Sequence, residues 1–174
     1  MDGLLEAIEH SAAPAAVDVA LARVEEVHPG LRARLAEDQR LRDAFVAVTA
    51  ASRSLTRRLV SDRGALDVLA ELDERPPCRA GGADELARWK SRELLRIAAR
   101  DLLGLDDLAG VGAALAALGD DVLTAARRLA GAAAEGLLVV GMGKLGAEEL
   151  NYESDVDVLF VGEGDARRIM EAAG

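Results

Sequence analysis

The sequence predicts a mostly helical protein with a small α+β part at its C-terminal end, and three observations predict it. Through most of the first 136 residues, apolar side chains recur three and four positions apart, the spacing of one helix face. The chain is 51% hydrophobic but only 2% aromatic, so its cores are aliphatic and Ala-rich, and Ala and Leu favour helices. At residue 137 the period changes: "LLVV" and "VDVLFV" are short continuous apolar runs, the second rich in β-branched residues, and both read as strands.

The elements follow in order. Residues 2–12 form a short helix. Pro14 suits the first turn of a second helix, which runs to Val27 and is stopped by His28-Pro29-Gly30. "LRARLAEDQRLRDAFVAVTAAS" repeats apolar residues three and four apart, at Leu31, Leu35, Leu41, Phe45 and Val48, the helical spacing. Ser52 to Val60 and Ala65 to Leu72 are two short helices split at Arg63-Gly64. "DERPPCRAGGAD" holds two prolines and two glycines in twelve residues and is the clearest linker. Asp84 then caps the best-defined helix, with Leu86, Trp89, Leu94, Ile97 and Leu102 on its buried side and Gly104 at its C-cap. Arg92, Arg96 and Arg100 line up at four-residue spacing as a solvated basic stripe. Residues 106–136 predict two further helices, broken near Gly119-Asp120. "DARRIMEAAG" starts a last helix.

Charge and cysteine usage narrow the partners. The net charge is −10, a surface that repels nucleic-acid backbones, so no nucleic-acid partner is expected. The single cysteine, Cys78, excludes an internal disulfide and fits a reducing cytoplasm. No Cys/His cluster has zinc spacing. The N-terminal stretch "MDGLLEAIEH" lacks the features of a signal peptide. No apolar run reaches the ~20 residues of a membrane helix, so no membrane partner is expected.

The chemistry concentrates in "VVGMGKLGAEELNYESDVDVLFVGEG", residues 139–164. Gly141-Met142-Gly143-Lys144-Leu145-Gly146 matches the G-x-G-x-x-G of dinucleotide sites, with Glu163 twenty residues after Gly143. The spacing argues against that reading, because a parallel βαβ crossover needs ~10–12 residues or more. Eight residues separate Gly146 from Asp155. Walker A fails as well, since Leu145 stands where Ser or Thr would hold magnesium. A third reading uses more residues. Backbone N–H groups of the glycine-rich turn cradle phosphate oxygens. Asp155 and Asp157, two apart on a strand, project to one face and share a divalent cation such as Mg²⁺, while Val156 and Val158 face the core. Lys144 is either a phosphate contact or a surface lysine, and Ser154 either touches the ligand or caps the turn.

On these residues the segment "GMGKLGAEELNYESDVDVLFV" closely resembles the nucleotidyltransferase motif of the glutamine synthetase adenylyltransferase/adenylyl-removing enzymes. Gly141–Gly146, Glu149, Leu150, Asn151, Ser154, Asp155, Asp157 and Phe160 match it; Ala147 departs from the usual glycine. "WKSRELLRIAARDLLGL" and "ASRSLTRRLVSDRGALDVLAEL" resemble helical parts of the same proteins, so the resemblance covers roughly residues 35–165.

The resemblance implies a DNA-polymerase-β-like nucleotidyltransferase core preceded by a helical region. Residues 1–75 would be the N-terminal helical region, 76–135 a linker and helices packing on the core, and 136–174 a partial core. It implies Asp155 and Asp157 as catalytic metal ligands, Gly141, Gly143, Lys144, Gly146 and Ser154 as nucleotide-binding residues, and Mg²⁺ with ATP, or ADP and phosphate, as cofactors. It implies glutamine synthetase as partner, with a nitrogen-signalling regulatory protein beside it. The reaction would attach AMP to a glutamine synthetase tyrosine or remove it by phosphorolysis, and the order of regions resembles the removing half. The fold's third metal carboxylate belongs to a later strand, so an incomplete core is expected. The rival expectation is a non-catalytic remnant that binds a partner through its helices.

Overall fold

The structure is a computed structural model that describes residues 2–174, the side chain of Asp2 excepted. The helices are α1 (Asp2–Glu9), α2 (Pro14–Val27), α3 (Leu31–Glu37), α4 (Gln39–Ala51), α5 (Arg53–Ser61), α6 (Ala65–Ala70), α7 (Ala83–Leu102), α8 (Leu108–Ala130), α9 (Gly143–Gly146) and α10 (Ala166–Ala173). Two strands, β1 (Leu137–Gly141) and β2 (Val158–Gly162), form a small antiparallel sheet. The protein is thus mostly α with a small β part near its C-terminus. It divides into two compact units, one comprising the chain to Glu74 with Leu95–Leu105, the other Arg75–Leu94 with Asp106–Gly174.

In the first unit, Leu21, Leu31, Leu35, Leu41, Phe45, Leu59, Leu66, Leu69 and Leu95 are fully buried in one aliphatic core. Local capping sets the helix lengths. The chain breaks between α3 and α4 because Asp38 leaves the helical region and its side chain accepts the Leu41 N–H at 3.0 Å. Arg42 closes the break from the other side by donating to the Leu35 carbonyl at 2.9 Å. Ser52, also extended, accepts the N–H groups of Ser54 and Leu55 and starts α5. At the end of α7, Gly104 takes a positive φ while Leu105 and Gly104 donate to the Arg100 and Asp101 carbonyls. That is the Schellman arrangement a C-cap glycine permits.

The basic stripe of α7 is not a solvated face. Arg96 is only 8% exposed and donates to the Leu72 carbonyl at 3.2 Å. Arg100 reaches the same carbonyl and pairs with Asp73 at 3.0 Å. Both guanidinium groups thus donate to the carbonyl of Leu72, two residues beyond the end of α6. Leu102, expected on the buried side, is exposed.

In the second unit, α7 begins one residue before the expected cap. Gly82 accepts the Leu86 N–H, and the Glu85 carboxylate reaches back to the Gly81 N–H at 2.7 Å, so Asp84 sits inside the first turn. Glu93, 3% exposed, pairs with Arg75 at 2.9 Å, and Arg75 also pairs with Asp121 at 2.9 Å. Trp89 is half-buried, its indole N–H donating to the Pro76 carbonyl. α8 runs unbroken through Gly119 and Asp120, capped at its start by Asp107. Within Leu108–Ala134 an 18-residue stretch reaches a mean hydropathy of 1.4, and by length and composition alone the segment is long and apolar enough to cross a membrane. Here α8 packs against α10, whose Ile169 is fully buried.

β1 and β2 pair directly, with Leu137 opposite Gly162, Val139 opposite Phe160 and Gly141 opposite Val158. Antiparallel pairing leaves no place for the parallel βαβ unit of a dinucleotide-binding fold. On one face of the pair Leu138 stands opposite Val161 and Val140 opposite Leu159, and all four are exposed.

Candidate functional site

The candidate site lies between the two strands. β1 ends at Gly141, Met142 is extended, and α9 turns the chain back on itself. The turn is tight for a definite reason. A Cβ on Gly146 would stand 2.7 Å from the Gly141 carbonyl oxygen, and one on Gly141 would stand 3.1 Å from Leu145. Only residues without a side chain allow the two backbones to come this close. Gly143 has φ +52°, a conformation that costs other residues strain. The N–H groups of Gly146 and Ala147 donate to the carbonyls of Met142 and Gly143 at 3.1 and 3.0 Å.

α9 ends in a second Schellman arrangement. Glu149 donates to the Lys144 carbonyl at 2.8 Å and Glu148 to the Leu145 carbonyl at 3.1 Å, with Glu148 at φ +58°. A non-glycine residue occupies a position that glycine normally takes, and no sequence signal marked it. Leu150 is buried, and then Asn151 and Ser154 clasp one another. The Asn151 N–H donates to Ser154 Oγ, and the Ser154 N–H donates to the Asn151 carbonyl, both at 3.1 Å. The Ser154 hydroxyl therefore accepts a bond within the turn.

Asp155 and Asp157 do not lie on β2, which begins at Val158. They occupy the irregular segment that leads into it, and both are exposed. Val156, expected in the core, is 45% exposed, because the segment has not yet joined the sheet and nothing covers it. One ladder-like bond extends beyond the strand, from the Met142 N–H to the Asp157 carbonyl at 2.9 Å. It brings the Asp157 carboxylate to the glycine turn: a Cβ on Gly143 would stand 3.3 Å from Asp157 Oδ2. Gly143, Lys144, Gly146, Asp155 and Asp157 are all exposed, whereas Gly141 and Ser154 are half-buried. Neither aspartate takes part in an ion pair among the described residues.

Hard oxygen donors of this kind suit Mg²⁺, and two unpaired carboxylates next to a glycine-rich turn fit such a cation and a phosphate. Among the described residues, no group of three or more His, Cys, Asp or Glu side chains could hold a metal ion.

A family model described as glutamate-ammonia ligase adenylyltransferase matches residues 21–173. A bifunctional glutamine synthetase adenylyltransferase/adenylyl-removing enzyme of Streptomyces coelicolor is 38% identical over 92% of this chain, and its counterpart in Streptomyces avermitilis is 37% identical over 92%. The protein of the same description in Cutibacterium acnes is 45% identical over 47% of the chain. The chain spans 18% of the length of each Streptomyces relative. No solved structure matches it. The family model covers most of the helices together with the glycine–aspartate segment, and so the chain belongs to the glutamate-ammonia ligase adenylyltransferase family.

Proposed function

We propose that this chain carries the nucleotide- and metal-holding segment of an enzyme that moves AMP between a nucleotide and a tyrosine of glutamine synthetase, acting in the cytoplasm. The observation that supports this best is the contact between the glycine turn and the aspartate segment, with Asp157 Oδ2 beside Gly143. Asp155 and Asp157 would hold Mg²⁺, Gly141, Gly143, Lys144 and Gly146 would meet the phosphates, and Ser154 would brace the turn or touch the ligand. Bound there, Mg²⁺ would neutralise phosphate charge and make the phosphorus more electrophilic.

In transfer, the tyrosine hydroxyl oxygen attacks the α-phosphorus of ATP, loses its proton, and pyrophosphate leaves. In removal, a phosphate oxygen attacks the phosphorus of the adenylyl-tyrosine, ADP forms, and the tyrosine oxygen leaves and takes up a proton. Removal is the direction proposed for this chain, with a nitrogen-signalling protein as the regulator. The core would be the beginning of a polymerase-β-like nucleotidyltransferase, with residues 1–75 and 76–135 as the helical regions that precede it.

A titration with ATP and Mg²⁺ tests the reading. Binding should depend on Mg²⁺, and Asp157→Asn should weaken it by at least about tenfold, the effect of losing a charged ligand. Binding by the Asp157→Asn variant as tight as wild type would sink the assignment. A second reading is a non-catalytic chain that binds a partner through its helices. Mg²⁺-independent or absent nucleotide binding, together with capture by glutamine synthetase, would favour it.

A further inference from the structure

Gly112 and Gly119 lie on α8, outside the glycine-rich motif, yet both meet it. A Cβ on Gly119 would stand 3.1 Å from Leu145 Cδ1 and 3.8 Å from Leu150 Cδ1. A Cβ on Gly112, seven residues earlier and so two turns along the same face, would stand 3.1 Å from the Glu148 carbonyl oxygen and 3.5 Å from Glu149 Cα. Carbon contacts usually settle at ~3.5–4.0 Å, so a methyl group at either seat would push its neighbour back by a few tenths of an ångström. Leu145 is 4% exposed, and its side chain also lies over Gly141, where an added Cβ would stand 3.1 Å from it. It therefore has little freedom to retreat. Leu145 lies directly between Lys144 and Gly146, so its seat on α8 sets where the turn stands.

We propose that Gly112 and Gly119 are positioning residues of the candidate nucleotide site: they form two notches in α8 that seat Leu145 and the Glu148 carbonyl, and so hold the glycine-rich turn at its distance from Asp157. The inference rests on the proposed nucleotide-binding role of that turn. It also explains why α8 carries glycines in mid-helix, where glycine is ordinarily unfavourable.

The two demands oppose one another, which makes the idea testable. Alanine at 119 should improve α8 as a helix and at the same time push Leu145 away by a few tenths of an ångström. Amide exchange of Gly146, Ala147 and Glu149, the donors within the turn, should be followed in the 174-residue chain for wild type, Gly119→Ala, Leu145→Ala and the double variant. Titration with ATP and Mg²⁺ should be run on the same four proteins. Gly119→Ala should speed exchange at these three amides and weaken nucleotide binding by about 3- to 10-fold, a scale set by sub-ångström misplacement. Amides inside α8 should remain as protected as before. The double variant should lie closer to wild type than either single change, because removing the Leu145 side chain makes room for the new methyl.

Gly112→Ala offers a second entry to the same device, with Glu149 as its reporter amide. If both glycine variants leave the turn amides unchanged, or if the Gly119 and Leu145 effects merely add, the inference is overturned. If wild type binds no nucleotide but the exchange pattern appears as expected, the seating holds and the proposed function fails.

Discussion

The Met142 N–H donates to the Asp157 carbonyl at 2.9 Å, so the residue just past β1 is tied to the residue just before β2. The tie runs through backbone atoms and leaves the Asp157 carboxylate free beside Gly143. Function and fold are therefore separable at this position. Asp157→Asn should change stability by less than about 0.5 kcal/mol, the usual effect of an exposed substitution. It should at the same time remove the Mg²⁺ dependence of nucleotide binding. Thermal unfolding with and without ATP and Mg²⁺ checks both halves at once. A large loss of stability without ligand would show that the carboxylate braces the fold.

The ion pairs of Arg75 are unequal. Its partner Glu93 is almost fully buried, whereas Asp121 has a half-exposed side chain. Removing Asp121 leaves a guanidinium that water can reach, and exposed pairs contribute about 0–1 kcal/mol. Removing Glu93 deletes the buried acceptor, and Glu93→Ala should cost about 1–3 kcal/mol. Denaturant unfolding of Glu93→Ala and Asp121→Ala compares them. Equal losses would contradict the burial argument.

Glu148 occupies the left-handed position of the turn that ends α9. A residue with a Cβ pays about 1–2 kcal/mol there, and glycine does not. After subtracting the greater freedom of glycine in the unfolded chain, Glu148→Gly should stabilise the turn by up to about 1 kcal/mol. The readout is slower exchange of the Glu149 amide, which donates to Lys144. Faster exchange would show that the Glu148 side chain contributes a contact that outweighs the strain.

Hydrogen exchange along the chain should be uneven. A two-stranded pair with one open apolar face is marginal, so amides of β1 and β2 should exchange quickly. Residues 84–102 belong to a long helix with buried Leu95, Ile97 and Ala99, and they should be protected. Protection of β1 and β2 equal to that of α7 would mean that the pair is stabilised by something other than its own ladder.

The sequence alone carried the helical class, the change of period at 137, the linker around Pro76-Pro77, the Gly104 cap and the glycine–aspartate motif. All of these rest on interactions within a few residues, and local rules of spacing, capping and turn chemistry read them directly. The family was legible for a similar reason, since its motif is contiguous between Gly141 and Phe160.

Other features were settled only by what the distant chain brings near. Gly119 has the signature of a helix break, but Leu145, 26 residues on, fills the space above it and α8 runs through. Arg96 has the spacing of a solvated stripe, but the open carbonyl of Leu72 draws it inward. Val156 alternates as a core residue should, yet no layer covers that part of the segment and it stays in water. Asp155 and Asp157 have the spacing of strand residues, but β2 starts only at Val158, because strand ends depend on a partner chain of matching length and β1 ends at Gly141. A side chain's pattern states what it would favour; whether a neighbour arrives to supply contact, hydrogen bond or cover is a property of the folded chain, and those neighbours lie far away in sequence.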